Sequence, residues 1–172
     1  MPLEKKKPDK LCRASRPYWL NKLILNINDS VQLSMKVAEI MNKEPALIYG
    51  GNTAQEAAEK MKLRNRGLLA VVNNEEERKV MGVLSNKDII NKVIAEKGSV
   101  SEIRVSDIMT REVIHVKPEA ATSEAMSKII KYGIKRVLVM ENGVLQGIVS
   151  STDIIDGMIK YKKELLDMAI NF

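Results

Sequence analysis

The stretch GVLSNKD at residues 82–88 recurs as GIVSSTD at residues 147–153, which is 65 residues further along the chain. Each copy reads glycine, two aliphatic residues, serine, two variable residues and aspartate. An aliphatic run that leads into Ser-x-x-Asp is typical of a strand passing into a helix, because the serine caps the helix and the aspartate lies in its first turn. The sequence therefore predicts two equivalent strand-to-helix turns.

Other landmarks repeat in the same order around these two turns. VAEIM at residues 37–41 recurs as VSDIM at residues 105–109, 68 residues later, and the same offset pairs the run 68–72 with 136–140. Several landmarks in one order indicate an internal duplication rather than chance similarity. The chain is therefore predicted to contain two copies of one unit of about 55 residues, preceded by a leader.

Each copy is predicted to run strand, helix, strand, strand, helix. The predicted elements of the first copy are a strand at 46–49, a helix at 53–65, strands at 68–72 and 80–85, and a helix at 87–96. Those of the second copy are at 113–116, 122–132, 136–140, 144–150 and 152–168. One copy is too small to bury a sufficient core alone, so we expect the two copies to share one. The predicted domains are a basic tail and leader at 1–34, a first unit at 35–97, and a second unit with a long C-terminal helix at 98–172.

The composition excludes several classes of protein. The 172 residues include one His and one Cys, too few for a structural zinc site. The lone Cys12 cannot form an internal disulfide, which favours a reducing, cytoplasmic compartment. No apolar run reaches the roughly 18 residues of a membrane span. The sequence shows no paired carboxylates and no nucleophile–base pair, so we predict a protein that is not an enzyme, with no catalytic residue and no metal.

The net charge of +6 is concentrated near the N-terminus. Residues 1–16 contain six Lys or Arg and two acids, a surplus of +4, which leaves +2 for the rest of the chain. Such a tail can contact nucleic acid or an acidic partner, or it can simply be solvated. No aromatic residues interleave the lysines, which favours the solvated tail. The alternative function is a nucleic-acid-associated protein that uses this tail, with the folded body as a dimerisation platform.

The two Ser-x-x-Asp turns have two interpretations. In the first they are capping boxes with a purely structural role. In the second they bind a nucleotide, because a helix N-terminus offers free N–H groups to a phosphate, and a carboxylate accepts hydrogen bonds from ribose hydroxyls. The pattern alone does not choose between them.

The repeated residues resemble a known family. The duplicated V-x-[DE]-I-M opening, the repeated unit and its terminal Gly-h-h-Ser-x-x-Asp, where h is aliphatic, are similar to a tandem pair of CBS domains, or Bateman module, over about residues 35–160. The resemblance implies an α/β (α+β) fold whose two units, related by a pseudo-twofold axis, pack their sheets together and leave two ligand clefts. It also implies a regulatory module that senses AMP, ADP, ATP or an S-adenosylmethionine-type compound without chemistry on the ligand.

The resemblance also implies which residues line the two clefts. Those of the second cleft are Ile114, His115, Val116, Ile134, Lys135, Arg136, Val137, Ser150, Thr152 and Asp153. Those of the first cleft are Ala46, Leu47, Ile48, Arg66, Gly67, Leu68, Ser85, Lys87 and Asp88. The aspartates would take ribose hydroxyls, the serines would lie by the phosphates, and Lys135 and Arg136 would neutralise phosphate charge. Because Gly67 and Leu68 replace these two cations in the first copy, we expect the second cleft to bind an anionic nucleotide better.

Two further positions belong to the second copy. His115 either contacts a purine or is an ordinary strand residue, and Ala121 stands where the first copy has the helix-starting Thr53.

The C-terminal helix carries an apolar stripe, and the resemblance implies pairing of such modules, so a homodimer is expected. We expect no cofactor beyond the regulatory ligand, and the sequence does not identify the regulated partner protein.

Overall fold

The predicted order of strands and helices occurs twice in the structure. The computed structural model describes residues 35–170, so the basic tail, with Cys12, lies outside the described residues. The elements of the first copy are α1 (Val37–Ile40), β1 (Leu47–Tyr49), α2 (Ala54–Arg64), β2 (Leu68–Val72), β3 (Val80–Ser85) and α3 (Asn86–Ile89), which continues into a π-helical turn (Ile90–Ile94). Those of the second copy are α4 (Val105–Ile108), β4 (His115–Val116), α5 (Thr122–Tyr132), β5 (Arg136–Glu141), β6 (Val144–Ser150) and α6 (Ser151–Ile170).

The strands form two three-stranded sheets of the same topology. The first sheet has the order β1-β2-β3 and the second β4-β5-β6. In each sheet the first two strands are parallel and the last two antiparallel, and the register shifts at the same place, after Val71 and after Val139. The predicted α/β (α+β) fold with a long C-terminal helix is therefore confirmed.

Most elements differ from their predicted bounds by one or two residues, and two of the differences have a structural reason. Strand β4 was predicted to begin at residue 113 but pairs with β5 only through His115 and Val116, while Val113 packs in the layer between the sheets. The helix predicted at 87–96 widens into the π-helical turn, where the N–H of Ala95 donates to the carbonyl of Ile90. A hydrophobic pattern does not reveal such a change of hydrogen bonding within a helix.

The opening helix of each copy packs in the other copy. The backbone N–H of Val37 in α1 donates to the carbonyl of Ala120, and that of Val105 in α4 donates to the carbonyl of Asn52, at 2.9 and 2.8 Å. Val37 is fully buried with the core residues of the second copy, and Val105 with those of the first. Each core is therefore completed by the other copy, as the small size of one unit led us to expect.

The two sheets meet on a pseudo-twofold axis. The N–H of Val80 donates to the carbonyl of Gly143, and the N–H of Leu145 donates to that of Arg78, both at 3.0 Å. Exchanging the two copies converts one bond into the other, so the axis passes between Lys79 and Val144. Around it, four buried residues from the two sheets form a third apolar cluster: Ala70, Val72, Leu138 and Leu145. The sheets pack together as predicted.

The glycine of each repeated motif allows the other copy to approach. A Cβ atom on Gly82 would lie 2.7 Å from the carbonyl oxygen of Thr110, and one on Gly147 would lie 2.7 Å from that of Asn42. Backbone hydrogen bonds of 2.8–3.0 Å join Thr110 to Val83, and Asn42 to the residue after Gly147. The motif glycines are thus required by packing between the copies, a role that the sequence did not reveal.

A single methyl group tests this close approach. We expect Gly147→Ala to lower the free energy of unfolding by about 1–3 kcal/mol, since the new Cβ displaces backbone that no side-chain rotation can move. Gly51→Ala is the control, because no atom lies within 4 Å of a Cβ at that position. The measurement is urea unfolding. Equal stability of the two variants would contradict the packing role.

Candidate ligand-binding cleft

Both Ser-x-x-Asp turns are capping boxes. The Oγ of Ser150 donates to Oδ2 of Asp153 at 2.6 Å, the Ser150 N–H donates to the same oxygen at 2.8 Å, and the Asp153 N–H donates to Oγ at 3.2 Å. Ser85 and Asp88 make the same three contacts at 2.5, 2.9 and 3.2 Å. The structural interpretation is therefore correct for both copies, and it occupies one oxygen of each carboxylate.

The other carboxylate oxygen distinguishes the two copies. Oδ1 of Asp88 lies 2.8 Å from Nζ of Lys92, which also donates to the carbonyl of Ile108 at 2.6 Å. The second copy has Gly157 at the position of Lys92, where a Cβ would lie 2.7 Å from Ile40. Among residues 35–170, Asp153 therefore lacks a basic partner, and its Oδ1 remains available to a ligand.

The environment of Asp88 favours its ionised form. Burial is the largest single influence and raises the pKa of this carboxyl, but the hydrogen bonds from Lys92 and Ser85 and the Lys92 charge together outweigh it. The pKa of Asp88 is therefore lowered below its ordinary range. This carboxylate already has a charged partner, which a ligand would have to displace.

A cleft of about 430 Å³ lies between the copies, next to Asp153. It is lined by Asn42, Pro45, Ala46, Arg66 and Leu68 from the first copy and by Arg136, Ile148, Ser150, Thr152 and Asp153 from the second. Seven of these ten were predicted as site residues, but they came from both predicted sets. The cleft thus combines residues that the sequence assigned to two separate sites.

Several predicted residues have their side chains elsewhere. The side chains of Ile48, Val116 and Val137 are 1–2% exposed and lie in the two cores, so only their backbone groups are left to face a cleft. Alternation along a strand turns these side chains inward. Ile114 and Ile134 pack against the second core.

The polar and charged candidates outside the cleft are mostly at the surface. His115 is exposed, with Nδ1 3.2 Å from the carbonyl oxygen of Val113, as expected of an ordinary strand residue. Lys135 and Lys87 are exposed, and Leu47 packs between the sheets. Ser85 and Asp88 occupy the equivalent turn of the first copy, with Gly67 accepting a hydrogen bond from the N–H of Asn86. These positions do not line the cleft next to Asp153.

Three cleft residues were missed by the sequence reasoning. Ile148 is one of the aliphatic residues of the repeated motif, to which the sequence assigns no ligand contact. Asn42 and Pro45 follow the VAEIM opening, and they reach the cleft because that segment pairs with Ile148 of the other copy. This placement follows from the packing of the opening segment of each copy against the other copy. No local pattern in the sequence predicts it.

Two features are absent from the described part of the chain. Within it, no group of three or more His, Cys, Asp or Glu side chains is placed to hold a metal ion. None of its helices is long and apolar enough to cross a membrane.

Comparison with protein families identifies the class of this fold. A model of the CBS domain matches residues 37–95 and 105–160. These two matches make up more than half of the chain, and the chain belongs to the CBS domain family as a tandem pair.

Individual relatives agree with this membership. An uncharacterized protein of Methanopyrus kandleri is 31% identical over 123 residues, 71% of this chain and 62% of that protein. A homoserine O-acetyltransferase of Methanococcus vannielii is 33% identical over 124 residues, 71% of this chain and 25% of the enzyme. The chain thus spans less than two thirds of the length of either relative.

A solved structure is also similar. It is the CBS domain pair of protein MJ0100 in complex with 5′-methylthioadenosine and S-adenosyl-L-methionine. It matches with a TM-score of 0.62 at 28% identity, over 72% of this chain and 99% of that chain.

The Asp88–Lys92 contact predicts a pH dependence of stability. Because the folded-state pKa of Asp88 is lowered, its ionised form stabilises the fold at neutral pH, and this contribution is lost as the pH falls below the ordinary Asp value of about 3.9. We expect Asp88→Asn to be less stable than the unmodified protein at pH 7, with a smaller difference at pH 3. Urea unfolding at both pH values measures this.

A second aspartate provides the control for that experiment. Asp156→Asn changes an exposed residue of α6, and we expect little effect at either pH. A difference for Asp88→Asn that stays the same at pH 3 and pH 7 would show that the charge of this carboxyl does not stabilise the fold.

Proposed function

We propose that this protein is a regulatory ligand-sensing module that binds an adenosine compound in the cleft next to Asp153. The observation that carries the proposal is the available Oδ1 of Asp153 at the edge of a cleft formed by both copies. Family membership supports the regulatory role, and the related pair bound to methylthioadenosine and S-adenosylmethionine supports the ligand class.

The cleft has complementary chemistry for each part of such a ligand. Oδ1 of Asp153 would accept hydrogen bonds from ribose hydroxyls, while Oδ2 continues to cap α6. The positive end of the helix dipole at the start of this helix would face a phosphate or a carboxylate. The apolar surface of Leu68 and Ile148 would cover the base, and few aromatic residues are needed for that contact.

Two arginines would set the preference for an anionic ligand. Arg66 of the first copy and Arg136 of the second both line the cleft, and neither forms an ion pair with a carboxylate of the described residues. A guanidinium group binds phosphate through paired hydrogen bonds. The ligand would therefore be held by both copies at once.

Contact with both copies provides a physical basis for sensing. A ligand shifts a conformational equilibrium only if it binds the two states with different affinity. In this cleft, a change in the angle between the copies changes the distance between Arg66 and Arg136, and hence the affinity. We propose that a partner protein responds to this change and that no chemistry occurs on the ligand.

Three expectations from the sequence concern the partner, the location and the basic tail. The regulated partner and the cytoplasmic location remain predictions. The nucleic-acid alternative rests on residues 1–16, which lie outside the described residues, and it too remains a prediction.

The unequal aspartates give a direct test of the ligand site. We expect Asp153→Asn to weaken binding of AMP, ATP or S-adenosylmethionine by about tenfold or more, because hydrogen bonds to a charged group are lost. Asparagine retains an oxygen for the helix cap. The matched control is Asp88→Asn, which should change the affinity little because Lys92 already occupies that carboxylate. Isothermal titration calorimetry measures both variants.

Two results would overturn the ligand proposal. The first is the absence of binding heat for every adenosine compound at millimolar concentration. The second is an equal loss of affinity in the two aspartate variants, which would remove the special role of Asp153.

We further propose that the module forms a homodimer through its last helices. Ile90 and Ile94 of the first copy are 53% and 59% exposed, and their repeat equivalents Ile155 and Ile159 are 49% and 62% exposed. Four large aliphatic side chains are thus exposed in two equivalent pairs, one pair on the last helical segment of each copy. Burying these side chains against a second copy would remove apolar area from water.

Charged residues in this patch should prevent dimer formation. We expect Ile155→Lys/Ile159→Lys to sediment as a monomer of 19.3 kDa and the unmodified protein at twice that mass. Leu63→Lys/Ile130→Lys is the control, because these side chains are 84% and 73% exposed and lie on α2 and α5. Sedimentation equilibrium measures the mass. A monomeric unmodified protein, or dissociation by the control pair as well, would reject this interface.

A further inference from the structure

A second cleft adjoins the proposed ligand site on the side of the first copy. It has a volume of about 610 Å³ and shares Asn42, Pro45, Ala46 and Arg66 with the cleft next to Asp153. Its other walls are the C-terminal half of α2, the beginning of β1 and the loop between β2 and β3. The volume is within the usual range for a small-molecule site.

The lining of this cleft is strongly basic. Five cationic side chains face it, and the two acidic ones are Glu44 and Glu75. The cations are Lys43, Lys60, Arg64, Arg66 and Arg78. None of the five is within ion-pair distance of a carboxylate in the part of the chain that the structure describes. Five unpaired cations in one concave surface repel one another unless an anion binds there.

Lys60 is unpaired for a local reason. The residue four positions before it, Glu56, accepts hydrogen bonds from the Thr53 N–H at 2.6 Å and from Asn52 at 3.1 Å, and so caps the start of α2. Nζ of Lys60 instead lies 6.0 Å from the centre of the Tyr49 ring, at the wall of the cleft. Its charge is therefore directed to the cleft and not to its own helix.

The second copy shows that the fold does not require these charges. The equivalent of Lys60 is Lys128, which pairs with Glu124 at 3.0 Å and donates to the carbonyl of His115 at 2.8 Å. Tyr132, Ile134 and Gly143 stand at the positions of the three arginines. The same architecture thus exists with four of the five positions neutral or paired, while Arg111 keeps the charge of Lys43.

Arg78 contributes a donor without an acceptor. Its Nε atom is buried and has no hydrogen-bond partner, although the residue lines the cleft. A buried donor left unpaired destabilises a fold, and a bound anion would supply the missing acceptor.

We propose that this basic cleft binds a run of two or more phosphate groups. A single phosphate cannot reach five cations spread over α2, β1 and the β2–β3 loop, whereas a short phosphate chain contacts several of them. The run is either a separate oligophosphate or the phosphate chain of a nucleotide whose adenosine lies in the adjoining cleft, since Arg66 borders both. The second source rests on the proposed function, and the first does not.

The direct test uses inorganic tripolyphosphate as the probe. We expect calorimetry to show binding that is tighter than for inorganic phosphate and that weakens as salt is added. Lys60→Gln/Arg64→Gln should weaken it by about tenfold or more. The matched control is Lys62→Gln/Lys117→Gln, which removes the same charge from exposed positions outside the cleft and should change the affinity by less than about twofold. Urea unfolding checks that both variants are folded.

Competition identifies the source of the phosphate run. If ATP displaces tripolyphosphate and Lys60→Gln/Arg64→Gln weakens ATP more than AMP, the chain belongs to a nucleotide that spans both clefts. If ATP and tripolyphosphate bind together, the oligophosphate is a separate ligand. Either result supports the basic cleft. Failure of every adenosine compound to bind would reject the proposed function and leave the tripolyphosphate result intact.

Three results would overturn the inference. The first is no binding of tripolyphosphate at millimolar concentration. The second is an equal loss of affinity in the control variant, which would indicate attraction by net charge alone. The third is binding of a short single-stranded oligonucleotide without binding of tripolyphosphate, which would assign the surface to nucleic acid.

Discussion

The exchange of opening segments between the two copies is the constraint on which the rest of the structure depends. Each segment carries an aliphatic helix into the opposite core and then lies against the opposite sheet, at Gly82 or Gly147. The approach is so close that a backbone oxygen lies 2.7 Å from where a Cβ would stand. The same crossing brings Asn42 and Pro45 to the strand that ends at Ser150, where they form part of the wall of the cleft next to Asp153.

The repeat made most of the fold predictable from the sequence. Two copies of one strand–helix pattern support each other, and turn signals such as Ser85 and Ser150 mark where the strands end. Predicting the cleft was harder, because its walls come from both copies and depend on how the opening segments cross. Ile48, Val116 and Val137 belong to aliphatic strands, and such runs do not reveal which residues face a core and which face a cleft.

Residues that differ between the copies give the two motif aspartates unequal surroundings within one architecture. The motif aspartates cap their helices in the same way, but Lys92 pairs with Asp88, and glycine replaces that lysine at residue 157. The sequence attributed the inequality to Gly67 and Leu68, which lack the charge of their counterparts. The structure shows a second difference, the presence of Lys92 on the following helix, one turn beyond the motif. A comparison limited to the motif residues does not include this position.

The contact between Lys79 and Val144 lies on the pseudo-twofold axis and bears on the origin of the chain. A contact that maps onto itself when the copies exchange is the kind found at the centre of a symmetric homodimer. Two separate single-repeat polypeptides could form the same exchanged pair, but only at a sufficient concentration. Joining the repeats makes the encounter intramolecular and independent of dilution. It also allows each half to acquire its own substitutions, so that an aspartate can be paired in one half and available in the other.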